Sequence, residues 1–104
     1  MTAFCQVVLS PEAWEQLDNI FDYIAAKASP GIAKGFADDI VAFCAGFDLF
    51  PQRGIERSDI RPGLRFVGFR RRVTIAFTVA NNIVTIVGIF YGGQDIEAAL
   101  GADD

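Results

Sequence analysis

Residues 50–72, FPQRGIERSDIRPGLRFVGFRRR, divide the chain into two halves of different periodicity. Upstream, apolar residues recur every three or four positions, as in amphipathic helices; downstream they alternate or run together, as in strands. The dividing segment also holds seven of the nine basic residues: Arg53, Arg57, Arg61, Arg65, Arg70, Arg71 and Arg72. The chain as a whole carries a net charge of −4, so a basic segment is set against strongly acidic surroundings. A function must account for what this segment meets.

Working outward toward the N-terminus, Ser29-Pro30 and Ser10-Pro11-Glu12 carry the same helix-start signal. A serine hydroxyl accepts from orphan amides, proline tolerates the first helical position, and glutamate suits the positive end of the dipole. The first helix carries an apolar stripe of Ala13, Trp14, Leu17, Ile20, Phe21, Ile24 and Ala28, with Trp14 and Phe21 expected in the core. The second carries Ile32, Phe36, Ile40, Phe43 or Cys44, Phe47 and Phe50. With almost no loop between them, they predict a helical hairpin. Ahead of it, Phe4 to Leu9 reads as a first strand.

Working outward toward the C-terminus, turns are expected at Arg53-Gly54 and Pro62-Gly63, and Leu64 to Phe69 reads as a strand. From Arg72 to Val79 the alternation puts Val73, Ile75, Phe77 and Val79 on one face and Arg72, Thr74, Ala76 and Thr78 on the other. Asn81-Asn82 tolerates positive φ and predicts a tight hairpin. Ile83 to Tyr91 is apolar on both faces, as in a central strand. Gly92-Gly93 ends it, and residues 94–100 read as a short turn or helix. The expectation is a single α+β domain over residues 1–104: a helical hairpin packed on a mainly antiparallel four-stranded sheet, in the order β-α-α-β-β-β.

Composition narrows the function. There is no histidine, and the two cysteines, Cys5 and Cys44, are far apart. A zinc site and imidazole acid/base chemistry therefore lack their ligands, no cofactor motif is present, and both thiols are expected as buried hydrophobes. The acidic balance argues against direct nucleic-acid binding, which depends on phosphate neutralisation by Lys and Arg. No apolar run reaches the length of a membrane span, and the N-terminus lacks the pattern of a signal peptide, so a soluble cytoplasmic protein is expected. A hydrophobic content of 52% is high for a small domain and leaves apolar surface for a partner. The arginines are the one polar cluster, and arginine is enriched at interface hot spots because its planar fork pairs carboxylates and phosphates.

Several strings, in order, resemble one family: LSPEAWEQLDNIFDYIA at 9–25, SPGIAKGFADDI at 29–40, LFPQRGIERSDIRPGLRFVGF at 49–69 and YGGQDIEAAL at 91–100. Together they are similar to the ParE/RelE superfamily, toxins of bacterial type II toxin–antitoxin modules often described as plasmid stabilisation proteins; FPxRGxxRxDIRPGLR matches the ParE branch. The resemblance implies a strand, a helical hairpin and three antiparallel strands. It also implies a cognate antitoxin laid across an apolar groove, and a dimer or a hetero-oligomer with that antitoxin. The ParE branch is described as blocking DNA gyrase by binding. The RelE branch cuts messenger RNA on the ribosome, but its catalytic arginines are replaced here by Thr74 and Gln94, leaving Tyr91 as the one candidate general acid. An inactive homologue that only binds its antitoxin is the third reading. The chain also departs from ParE, with Val73 where a tyrosine is common, Gly88 and Gln94 where arginines are common, and Tyr91 where a histidine is common. The candidate partner-binding residues are Arg61, Arg65, Arg70, Arg71, Arg72, Tyr91, Gln94 and Asp95, with no catalytic or metal-binding set.

Overall fold

The computed structural model describes residues 6–48 and 53–92. Strand β1 (Gln6–Leu9) leads into helix α1 (Pro11–Lys27) and helix α2 (Pro30–Ala45), which a 3-10 turn at Gly46–Asp48 closes. Strands β2 (Ile55–Glu56), β3 (Arg65–Phe69), β4 (Val73–Ala80) and β5 (Ile83–Tyr91) follow. Both helices begin as their sequences dictate. Ser10 Oγ accepts from the Ala13 amide and Ser29 Oγ from the Ile32 amide, each at 3.1 Å, with Pro11 and Pro30 in the first turns.

The sheet has the order β1-β5-β4-β3-β2. β1 runs parallel to β5, and the remaining neighbours are antiparallel. Among the described residues the sheet thus has five strands where four were expected. The addition, β2, pairs Ile55 with Phe66 and Glu56 with Arg65. Two residues are too few to display alternation, which is why the sequence pattern does not reveal it. Gly54 ahead of it sits at φ +78°, and an added Cβ would lie 2.1 Å from the Phe66 carbonyl oxygen. Only glycine fits there.

One face of the sheet packs under the helices. Ala13, Leu17 and Ile20 of α1, Ile40 and Cys44 of α2, and Phe47 meet Val73, Ile75 and Phe77 of β4 and Val84, Ile86 and Ile89 of β5. Val79 joins them part-buried, so the expected β4 face is correct. In β5 the helix-facing set changes parity, from Val84 and Ile86 to Ile89 and Tyr91. The cause is a register shift in which Ala76 pairs with Gly88 but Phe77 pairs with Ile86, leaving Val87 as the extra residue of a β-bulge. Gly88 follows it, and a Cβ there would meet the Phe90 ring at 2.4 Å. The position where an arginine is common in the ParE branch is therefore covered by an aromatic ring.

The opposite face has a smaller core of its own. Leu64, Ala76 and Phe90 are buried together, with Ile60, Phe66 and Val87 packed around them. The arginine-rich connection thus folds under the sheet, held by bonds from the Arg57 amide to the Leu64 carbonyl (2.7 Å) and from the Leu64 amide to the Arg61 carbonyl (3.1 Å). Burying a leucine or phenylalanine side chain contributes about 1.5–3 kcal/mol each, enough to order a loop with no regular structure.

Trp14 does not join the core as expected: it is 48% exposed, Ala28 is exposed and Phe21 is half-buried. Trp14 follows Ala13, whose Cβ faces the core, and one helical step turns a side chain by about 100°. Ile32 is likewise exposed at the start of α2. Cys44 is buried, and burial pushes its thiol up to about 12. The expectations for Cys5, Phe50-Pro51 and the 94–100 element lie outside the described residues.

Candidate functional site: a basic hairpin tip beside a tyrosine-lined cleft

The seven arginines of the dividing segment separate into two groups. Arg53, Arg57, Arg61 and Arg65 belong to the connection and to the end of the sheet where β2 sits. The Arg65 guanidinium donates to the carbonyls of Arg53 (2.9 Å) and Gly54 (3.4 Å), and its side chain is only 20% exposed. Arg53 donates to the Gly46 carbonyl at 3.1 Å and lies 4.5 Å from the Phe47 ring centroid. Arg57 makes two bonds to Asp59, at 2.9 and 3.0 Å, and these hold the exposed Asp59 carboxyl below its ordinary value. Arg61 is half-buried in the turn that delivers Leu64. All four are engaged within the chain.

The second group forms the β3–β4 hairpin. Arg70 (φ 53°) and Arg71 (φ 60°) occupy the two central positions, and the Arg72 amide donates to the Phe69 carbonyl at 3.2 Å. Positive φ at both central residues is the type I′ arrangement, whose twist matches antiparallel strands and which favours Asn or Gly. Arginine there costs about 1–2 kcal/mol per residue in Cβ crowding. Arg70 is held over the Phe69 ring (4.9 Å to its centroid) and bonds Asp39 of α2 at 2.8 Å. Arg71 is exposed. Arg72 Nη1 donates to Tyr91 Oη at 3.3 Å, while its carbonyl accepts from the Gly92 amide at 2.8 Å.

Tyr91 links this tip to α1. Its ring packs against Tyr23 (5.6 Å between centroids) and edge-on to Phe36 (6.2 Å), and Lys27 Nζ lies 5.7 Å from the Tyr23 centroid. Behind the tyrosines lies an open cleft of about 430 Å³ lined by Gln16, Asn19, Ile20, Tyr23, Ile89, Tyr91 and Gly92. Apolar walls with a few amide and hydroxyl groups suit a side chain with a polar end rather than a bulk hydrophobe.

Of the candidate residues, the structure brings Arg70, Arg71, Arg72 and Tyr91 together. It places Arg61 and Arg65 elsewhere, and Gln94 and Asp95 lie outside the described residues. Sequence reasoning did not single out Gln16, Asn19, Tyr23 or Lys27. The signal was present, since their spacing of three and four residues draws one line along α1 beside the core stripe. Among the described residues no three His, Cys, Asp or Glu side chains converge as a metal site, and no helix is long and apolar enough to cross a membrane.

A helical hairpin over a mixed sheet, with a cationic hairpin at one end, defines a small α+β domain. Its class is set by comparison with known families. The model of the ParE toxin of the type II toxin–antitoxin system parDE matches residues 7–96, and the chain belongs to that family. A chain of the solved structure titled "Chromosomal ParDE TA system from P. aeruginosa" shares the fold, with a TM-score of 0.76 and 22% identity over 88% of this chain and 99% of that one. The comparison with curated proteins returns no match.

Proposed function

We propose that this chain is a toxin that acts by binding rather than by bond cleavage, blocks DNA gyrase in the bacterial cytoplasm, and is neutralised by a cognate antitoxin. Membership of the ParE toxin family over residues 7–96 carries the reading. The surface that meets these partners is the tip formed by Arg70, Arg71 and Arg72 with Tyr91. Arginine at two left-handed positions is a local conflict with the fold, and such conflicts are expected where a residue is kept for function. The stacked and hydrogen-bonded arrangement of Arg70 and Arg72 lowers the entropy lost when a partner's carboxylates arrive.

Two measurements test this. Expressed alone in a bacterial host, the chain arrests growth with a DNA-damage response, and the purified protein inhibits gyrase-driven supercoiling until antitoxin is added. Normal supercoiling at saturating chain contradicts the gyrase target. Site-specific cleavage of translated messages would instead establish the ribonuclease reading.

A further inference from the structure

Arg57 and Arg70 meet a carboxylate in different ways. Asp59 accepts from both Nε and Nη2 of Arg57, at 3.0 and 2.9 Å, so one carboxylate closes a whole edge of that guanidinium. Asp39 accepts from Arg70 through Nη2 alone, at 2.8 Å. Nη2 has one hydrogen on the side of Nε and another on the side of Nη1, so a single oxygen leaves a complete two-pronged edge of Arg70 open. The group is oriented by its bond to Asp39 without being used up by it.

The orientation comes from α2. Phe36 and Asp39 stand three residues apart, on one face of that helix. The Arg70 guanidinium lies 4.9 Å from the Phe69 ring centroid and 5.9 Å from that of Phe36, and the two rings are themselves 6.0 Å apart. Two aromatic rings and a carboxylate therefore bound it on separate sides. Asp38, the next residue of α2, is turned away and pairs with Lys34 at 2.7 Å. The Arg70 and Asp39 side chains are 54% and 48% exposed, and a pair so open to water contributes little to stability. Its larger effect is on where the guanidinium sits.

From this we infer that Asp39 is a positioning residue for partner recognition. With Phe36 it holds Arg70 so that the open edge receives a carboxylate of the antitoxin through two parallel bonds, while Asp39 stays in place. A long side chain already immobilised has less freedom to lose on binding. The inference rests on the toxin–antitoxin reading above, and adds to its surface a residue of α2 that carries the partner's own charge sign. Charge alone predicts the opposite effect: Asp39 repels an incoming carboxylate, so removing it would tighten the complex.

The test measures affinity for the protein encoded by the adjoining reading frame, using wild type, Asp39→Ala, Asp39→Asn, Arg70→Ala and the Asp39→Ala/Arg70→Ala pair. NMR relaxation at Arg70 Nε reports the side chain's order in each free chain that keeps it. Asp39→Ala lowers that order and weakens the complex roughly three- to tenfold, the entropy of immobilising one long side chain, with an unchanged melting temperature. Asp39→Asn keeps an oxygen for Nη2 without the charge, and binds as tightly as wild type or more so. Once Arg70 is alanine, Asp39→Ala costs no further affinity. Tighter binding by Asp39→Ala, or an equal loss with and without Arg70, overturns the inference and leaves the toxin–antitoxin reading standing. So does an Arg70 Nε as mobile in wild type as in Asp39→Ala. If wild-type chain forms no complex at all, the functional reading falls, and the inference falls with it.

Discussion

Two hairpins of one sheet reach the same backbone geometry with different residues. At the β4–β5 turn, Asn81 (φ 53°) and Asn82 (φ 62°) occupy the left-handed region that asparagine tolerates. At the β3–β4 turn, Arg70 and Arg71 occupy the same region at nearly the same angles, although arginine has no local hydrogen bond to offset the crowding. The first turn is chosen for folding. The second runs against that preference: Arg70 lies over Phe69 and bonds Asp39, Arg71 is exposed, and on the proposed reading these side chains serve a partner. The same contrast holds among the arginines, since Arg65 serves the fold through backbone carbonyls while Arg71 faces outward.

Grafting one turn onto the other gives the largest expected change in stability. An Asn81→Arg/Asn82→Arg chain loses about 1–2 kcal/mol in urea unfolding, while partner affinity stays within about twofold. A smaller effect separates the arginine groups. Arg65→Ala costs about 1 kcal/mol by removing bonds to two carbonyls, whereas Arg72→Ala changes stability by less than about 0.5 kcal/mol and weakens the partner instead. Equal losses of stability at Arg65 and Arg72 break the comparison. Asn82→Gly sharpens it, raising stability by a few tenths of a kcal/mol because glycine meets no Cβ penalty at φ 62°.

A pH effect away from both turns serves as a control. The unfolded Cys44 thiol ionises near its ordinary value of 9.0, and the buried one at about 12. The unfolded state therefore releases its proton first, so the contribution of this thiol to stability is constant well below pH 9 and falls as pH rises through that window. At pH 8 an alkylating reagent modifies Cys44 only once denaturant is added. Modification of Cys44 in the native chain at the unfolded rate would contradict its place beneath the helices.

Much of this architecture was legible from local rules. The two Ser-Pro caps, the Val73/Ile75/Phe77/Val79 alternation and the Asn81-Asn82 turn each depend on neighbours within four residues, and each stands as expected. What was hidden depends on distant partners. β2 exists because Gly54 lets the chain approach Phe66, and the parity change in β5 exists because Val87 bulges against β4. Trp14 showed the limit of a stripe drawn from composition, since adjacent apolar residues cannot share one face of a helix. The candidate site was half legible. Seven arginines close in sequence read as one basic cluster, and only the path of the connection under the sheet divides them into Arg53, Arg57, Arg61 and Arg65 inside and Arg70, Arg71 and Arg72 outside.

The most direct test replaces the costly turn with the favoured one. In Arg70→Asn/Arg71→Gly the melting temperature and the affinity for the antitoxin are measured on the same preparation. The account predicts opposite signs: stability rises by about 1–2 kcal/mol as the left-handed crowding is relieved, and affinity falls at least tenfold as two guanidinium groups leave the interface. A chain that gains stability and keeps its affinity, or loses both together, would contradict the claim that this hairpin is kept for binding.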